Sequence, residues 1–567
     1  MDHQQADPAK CASRGNDSVV ELKPSLSRMF SFDAADPPSV QKQSSGRRDM
    51  RPASSFNRHG SSRRNASLRS GSLGRSLSRS RRASSHFCDI EVDEDMVDDR
   101  QSVIHGVIDE EMAVVAVVPQ PAADDVPGKK PASAVRSRLG VILLDQGLFT
   151  VYKRLFVLCI ALNATGLALA ATGRFPYART HAAVFAMGNI LALTLCRSEA
   201  VLRVVFWLAV TLFGRSWVPV LVKTGVTAIL QSLGGVHSGC GMSSLAWLVY
   251  ALVQVLQNRD VTPREIVGVA SAILGLLALS CMAAFPLVRH LHHNVFERTH
   301  RFAGWAALAL LWAFEVLSAG YDPATESYDN LTGTVLVKRQ ELWLTASITF
   351  FTFLPWLTVR RVPVTVTARS THASIITFHG GMKAGLLGRI SRSPLSEWHA
   401  FGIISDGGDT HAMLAGAVGD FTQGLISDPP SSLWVRNVHF AGLPYLLNMY
   451  RRATMVATGS GICVFLSFLM QPGAAELSLV WVAKGIEANY GEEMKAAVSR
   501  SEQLRGRVLV HDTAVMGRPN VADLAVGAAK KWDAEVVIVT SNPEGSRDVV
   551  TGCNMAGIPA FGPIWDS

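Results

Sequence analysis

Three regimes of apolar and polar positions divide the chain. Up to about residue 135, Ser, Arg and Pro dominate and neither a helical nor a strand period appears. From residue 155 to 359 the apolar residues come in long blocks. A membrane-crossing helix needs about 20 mostly apolar residues, and six blocks qualify, at 155–172, 180–205, 225–250, 266–288, 301–319 and 342–359. The stretch 206–223 is apolar but broken by Gly214, Arg215 and Pro219, and is read as an interfacial connection. After Arg360-Arg361 the period changes to two. Residues 362–368 and 374–378 alternate and predict antiparallel strands. From Ala453 onward, apolar strands at 453–457, 477–483, 507–510 and 536–539 alternate with helical stretches at 462–470, 521–532 and 547–556. That order predicts a parallel sheet with helices on both faces.

Composition sharpens this division. The chain has 567 residues, 48% of them hydrophobic, which is high for a protein with so polar an arm. The formal charge of +8 falls mainly in the arm and at the ends of apolar blocks, so nucleic acid is not an expected partner. Eight cysteines are scattered without Cys-x-x-Cys, which argues against a zinc site or a disulfide framework. The polar start predicts no cleavable signal peptide. Residues 1–135 are expected to be disordered, because they hold too little apolar surface to offset their ordering entropy. Within them, Arg63-Arg64-Asn65-Ala66-Ser67 and Arg81-Arg82-Ala83-Ser84 fit a basophilic kinase, a partner for the arm. Asn330-Leu331-Thr332 has the form of a glycosylation acceptor and is equally a chance tripeptide. Six spans put both termini on one side, with Arg215, Lys223, Arg289, Arg298, Arg360 and Arg361 facing the cytoplasm. The expected setting is the lipid bilayer of a plasma membrane or endomembrane, with both termini cytoplasmic.

Candidate chemistry lies at the junction of the last two regimes. Residues 395–405 read Leu-Ser-Glu-Trp-His-Ala-Phe-Gly-Ile-Ile-Ser, and residues 415–422 read Ala-Gly-Ala-Val-Gly-Asp-Phe-Thr. The turn after the first parallel strand reads Thr458-Gly459-Ser460-Gly461-Ile462-Cys463-Val464-Phe465. Glycines there let a pyrophosphate approach the backbone, though they would also serve a tight turn alone. Within the apolar blocks, His237 and His300 are costly groups that call for a reason. Neighbouring His290, His292 and His293 sit in a basic loop and suit headgroup contacts.

Together these stretches resemble the ferric reductase and NADPH oxidase superfamily, from about Leu155 to the end. The fungal integral-membrane flavoproteins of the developmental-regulator type share this order. The family's flavin signature typically reads Glu-Trp-His-Pro-Phe-Thr-Ile, and its next element Ala-Val-Gly-Asp-Trp-Thr. The resemblance implies a multi-domain fold: a disordered N-terminal arm at 1–135, a six-helix transmembrane ferric-reductase-like bundle at 150–360, and a ferredoxin-NADP reductase-like module. That module would comprise an antiparallel β-barrel FAD lobe at 361–450 and an α/β NAD(P) lobe at 451–567. It places His399, Phe401, Gly419, Asp420, Thr422 and a terminal Trp565 lid at FAD, and Gly459, Gly461, Cys463 and Thr540 at NADP or NAD. In the family, two helices each carry two histidines about 13 residues apart, and cross-helix pairs hold haem. Here His237 and His300 match the inner pair, while the outer positions hold Tyr250, Ala251, Ala313 and Phe314. One inner haem b is the most this chain is expected to bind.

Departures from the family are as informative. Ala400 and Gly402 replace Pro and a hydroxyl residue, Cys463 and Val464 replace Thr and Pro, and Thr540-Ser541-Asn542-Pro543 stands where the family has Cys-Gly-Pro-Pro. The expected function is a membrane flavoprotein oxidoreductase moving electrons from NAD(P)H through FAD to a membrane or haem acceptor. The alternative is a catalytically weakened flavin- and nucleotide-binding membrane regulator. Neither involves secreted superoxide, since the outward electron route lacks its histidines. A transporter is not favoured, because nothing resembles inverted repeats.

Overall fold

A computed structural model describes residues 150–563 apart from 259–261, 286–287, 290–291, 330 and 369. The arm with its two kinase motifs, His290, Asn330 and Trp565 lie outside the described residues. Among the described residues, four helices are long and apolar enough to cross a membrane: Val151–Ala171, Leu233–Gln257, Arg264–Ala283 and Val295–Gly320. A fifth apolar helix, Gln340–Leu357, contains Pro355 and runs almost directly into the first strand.

Two of the six expected spans are divided. The block 180–205 becomes Ala182–Leu195 followed by Glu199–Phe213, with the break at Arg197 and Ser198. The charge on Glu199 explains the break, because its carboxylate is paired with Arg389 and Arg436 of the barrel instead of entering an apolar layer. The block 225–250 becomes Val220–Gln231 and Leu233–Gln257, parted at Ser232. The first piece is tied to the C-terminal half: Thr227 and Tyr450 share a hydroxyl hydrogen bond of 2.8 Å, and Gln231 Nε2 donates to Gly562 O at 3.1 Å. So 206–223, read from sequence as a connection, contains most of one helix and the start of another. In the Leu233–Gln257 helix, Gly235 and Gly239 face Val151–Ala171. A Cβ on Gly235 would stand 2.3 Å from Tyr152 O, and one on Gly239 2.8 Å from Cys159 Cβ. This is the small-residue spacing that lets two apolar helices touch backbone to backbone.

The alternating stretches fall in the first three of eight antiparallel strands among the described residues: β1 (Val359–Pro363), β2 (Thr365–Thr367), β3 (Ala373–His379), β4 (Leu386–Ser391), β5 (His399–Ile404), β6 (Thr410–Gly416), β7 (Ser432–Arg436) and β8 (Phe440–Ala441). Their order is β1-β7-β4-β5-β6-β3-β2, with β8 on β4. The first and last strands of that path are separated in sequence by Val364 alone, so the sheet has to curl into a nearly closed barrel. The remaining strands are parallel: β9 (Arg452–Thr458), β10 (Glu476–Ala483), β11 (Val508–Asp512), β12 (Val536–Thr540) and β13 (Ala560–Phe561), in the order β11-β10-β9-β12-β13. Strand β12 is buried at every position, as a strand covered on both faces should be. One face packs under the Val521–Trp532 and Pro543–Met555 helices, while the other shares a continuous core with the barrel.

Candidate functional site

The sheet order reverses between β9 and β12, and ligands of open α/β sheets bind at such a point, beyond the carboxyl ends of the strands. Gly459 leaves β9 with φ of 53°, the left-handed region that favours glycine. A Cβ on Gly461 would lie 2.6 Å from Thr540 O, so glycine is also what lets the turn meet the end of β12. Two helices start here. The Gly459–Ile462 turn leads into Cys463–Met470, and Asn542 caps Pro543–Met555 by accepting from Gly545 N at 2.8 Å. Thr458 Oγ1 and Ser541 Oγ are 2.7 Å apart across the crevice. Gly459, Gly461 and Thr540 therefore meet at one edge, with Cys463 enclosed at the start of the helix behind them.

The residues assigned to flavin gather on the barrel. The His399 ring stacks on Phe421 with centroids 4.0 Å apart and planes 14° apart, and Phe401 lies 6.5 Å from the same ring at 26°. Phe421 was missing from the sequence assignment, although it stands where the family motif has Trp. Glu397 Oε2 is 3.7 Å from His399 Nε2. Beside this shelf begins the Asp420–Ser427 helix, where Thr422 Oγ1 accepts from Val418 N at 3.0 Å and Gly419 N at 3.1 Å. Two donors that a phosphate would use are thus already paired, and exposed Asp420 adds negative charge to the first turn.

The two clusters adjoin across a closed seam. A Cβ on Gly402 would meet Val464 at 2.7 Å (Cγ1), 2.9 Å (Cα) and 3.0 Å (N), and one on Gly416 would meet Ser460 Oγ at 2.7 Å. Ser467 Oγ donates to Ile403 O at 2.6 Å and accepts from Ser405 N at 2.9 Å. Gln471 donates to Met382 O and Ser405 O, and accepts from Ala384 N. Of these features only the shelf suits an aromatic ligand; the start of the Asp420–Ser427 helix, with its donors paired and Asp420 beside them, does not suit a phosphate. The seam at Gly402 suits neither: the place of the family's hydroxyl is filled by the backbone and side chain of Val464.

Among the apolar helices, His237 and His300 face one another, with ring centroids 6.5 Å apart and planes at 54°. His237 Nδ1 donates to Leu193 O at 3.0 Å, since a carbonyl can only accept. His300 Nδ1 lies 2.8 Å from Ser280 Oγ and 3.3 Å from Ser280 O. A backbone bond on Nδ1 fixes the tautomer that leaves Nε2 with its lone pair, the usual preparation of a metal-ligating imidazole. Two imidazoles at about 2 Å on opposite sides of one metal would have ring centres about 6 Å apart. Two imidazoles with Nδ1 held in this way are the donor types that a bis-imidazole haem would use. Level with Tyr250 the interior is taken up by rings instead: Trp247 stacks on Phe185 at 4.7 Å, and Asn163 Oδ1 accepts from Trp247 Nε1 and Asn189 Nδ2.

Residues 443–567 match the family described as the C-terminal domain of adenylate-forming reductase 03009. Adenylate-forming reductase 06235 of Coprinopsis cinerea is 33% identical over 452 residues, covering 78% of this chain and 42% of that protein. Adenylate-forming reductase 03009 of the same fungus is 32% identical over 450 residues, with the same coverage. The chain is similar to parts of fungal reductases. It spans less than half the length of these curated relatives. Among solved structures, flavohemoglobin from Malassezia yamatoensis with bound FAD and heme aligns at a TM-score of 0.31 and 14% identity, covering 67% of this chain and 98% of that one. Ferredoxin-NADP+ reductase from Plasmodium falciparum aligns at 0.28 and 10%, covering 36% and 94%. At such scores the overlap is loose, and the architecture rests on the strand order given above.

Proposed function

We propose that the chain is a membrane-embedded, reductase-type module of the ferric reductase and NADPH oxidase kind. In this reading 150–360 forms the membrane part with both termini cytoplasmic, 361–450 binds FAD and 451–567 binds NADP or NAD. One observation carries it: the aromatic shelf of His399, Phe401 and Phe421 and the Gly459–Gly461 turn occupy adjoining edges of two lobes that share one core. When bound, a flavin supplies the chemistry of accepting a hydride and releasing single electrons. The chain's own part is placement. In this reading His399, stacked on Phe421, and Phe401 form the aromatic wall, Gly459 and Gly461 bring the turn against the end of β12, and His237 and His300 would offer two imidazoles inside the membrane part. A haem there is the acceptor this reading favours.

The closed contact of Gly402 with Val464 favours a second reading, in which the same sites bind nucleotide without turnover. The absorption spectrum of the purified full chain separates the two. Flavin absorbance bleached by NADPH supports the reductase, and flavin that NADPH leaves unbleached supports the binding protein. A Soret band lost in His300→Ala supports the haem. Colourless protein, with neither band after incubation with FAD and haem, would overturn both readings.

A further inference from the structure

We propose that the recess between the Glu199–Phe213 helix and the barrel holds the anionic headgroup of a bilayer phospholipid. This rests on the reading that the apolar helices lie in a membrane. The recess has a volume of about 240 Å³ and is lined by Arg203, Val204, Trp207, Lys383, Leu386 and Tyr445. Its lining holds two cations and no acid. Arg203 Nη1 donates to His439 O at 3.3 Å, which fastens the guanidinium to the loop before β8 and leaves its other donors to be used.

The helix bearing Arg203 is apolar on opposite faces. Phe206 and Ala209 are buried in the barrel's core, with Leu202, Val210 and Phe213 packed against it. Val204, Trp207, Leu208 and Leu212 point away and are each about half exposed. The next helix repeats the arrangement: Val226 and Leu230 pack inward, while Leu221 is 83% exposed. Between the two helices Trp217 is 78% exposed. A helix apolar on both faces needs a second apolar medium, because water would leave one face unburied. Tryptophan is enriched at the level where acyl chains meet headgroups, and long cationic side chains reach from that level toward phosphate. The strip therefore belongs among acyl chains, with Arg203 and Lys383 at phosphate height. A guanidinium matches phosphate oxygens two at a time. Free phosphate has the same oxygens but no chains to cover Val204 and Trp207.

The test uses the full chain reconstituted into vesicles of mixed phosphatidylcholine and phosphatidylserine, then extracted in mild detergent, with the retained lipid measured by mass spectrometry. Phosphatidylserine should be enriched over its share of the vesicle. Arg203→Gln and Lys383→Gln should each lower that enrichment about fivefold, as expected for one cation near an anionic surface, and Arg203→Lys should recover part of it. Excess inorganic phosphate during extraction should not displace the lipid. Enrichment unchanged in the double glutamine variant, or lipid displaced by phosphate, would overturn the assignment. Failure of the unmodified protein to float with vesicles would instead remove the membrane reading beneath it, whereas flotation without enrichment removes the headgroup site alone.

Discussion

Substituting Glu199→Gln should loosen the barrel from the helices beneath it. The Glu199 side chain is 8% exposed, and its Oε1 pairs with Arg389 Nε and with Arg436 Nη1 at 3.0 Å. Each guanidinium also lies over a ring, Arg436 at 4.7 Å from the Trp398 centroid and Arg389 at 5.3 Å from that of Phe440. Burial pushes the Arg436 guanidinium below its ordinary range, and Glu199 works against that shift. A neutral glutamine leaves Arg436, 16% exposed, without its counter-charge. Removing one partner of a buried pair costs about 3–5 kcal/mol. Arg389 is 34% exposed and water takes up part of its charge, so the lower figure of about 3 kcal/mol applies. For a module of roughly 200 residues, each kcal/mol lowers the unfolding midpoint by about 2–4 °C, which gives a fall of about 6–12 °C. Thermal unfolding in detergent, followed by tryptophan fluorescence, measures it. Adding Arg436→Met should restore part of the loss, because a pair removed whole leaves no stranded charge. A midpoint within about 2 °C of the parent, or two losses that simply add, would refute this account of how the halves are joined.

Two further outcomes follow from the seam and the barrel interior. Burial, with the charges of His411 and Arg203, pulls His439 down to about 4. Its unfolded value is near 6.5, so the neutral ring's contribution is complete above about pH 6.5 and is lost as pH falls toward 4, by about 3 kcal/mol. The unfolding midpoint should drop between pH 7 and 4.5, and less steeply in His439→Gln; equal slopes would exclude this residue as the cause. Gly402→Ser should lower stability by about 1–3 kcal/mol, because the added carbon meets the Val464 backbone as well as its side chain. Val464→Ala should not rescue it, and a neutral Gly402→Ser measured by the same unfolding assay would show that the seam has room.

The parallel sheet was legible because its central strands β9 and β12 are continuous apolar runs, each followed by a turn rich in Gly, Ser or Asn, as strands covered on both faces should be. Of the barrel strands, only those near 362–368 and 374–378 were legible from alternation; β4 and β6 are buried at nearly every position and carry no such pattern. The apolar helices were harder, since composition reports that a face avoids water and not what covers it. Val226 was expected in a span and Phe206 and Ala209 in an interfacial connection, yet all three pack on the barrel. Glu199 was the available signal, being a carboxylate that calls for a cationic partner, which the barrel supplies in Arg389 and Arg436. At the candidate site, His399 and Phe401 fall together on the barrel and the Gly459 turn falls at the end of β9, as the motif spacing let one expect them to be near neighbours in each lobe. The contact of Gly402 with Val464 was not legible, because its partners are 62 positions apart and each replacement looks harmless by itself.

The hydrogen bonds made by Ser467 and Gln471 also govern how the two lobes can move. They fasten the Cys463–Met470 helix and the residue after it to the barrel at Met382, Ala384, Ile403 and Ser405. A clam-shell swing would have to break all five at once, in a core that both lobes share. Any motion of the helices packed on the barrel is therefore handed whole to the C-terminal lobe, as by a rigid handle.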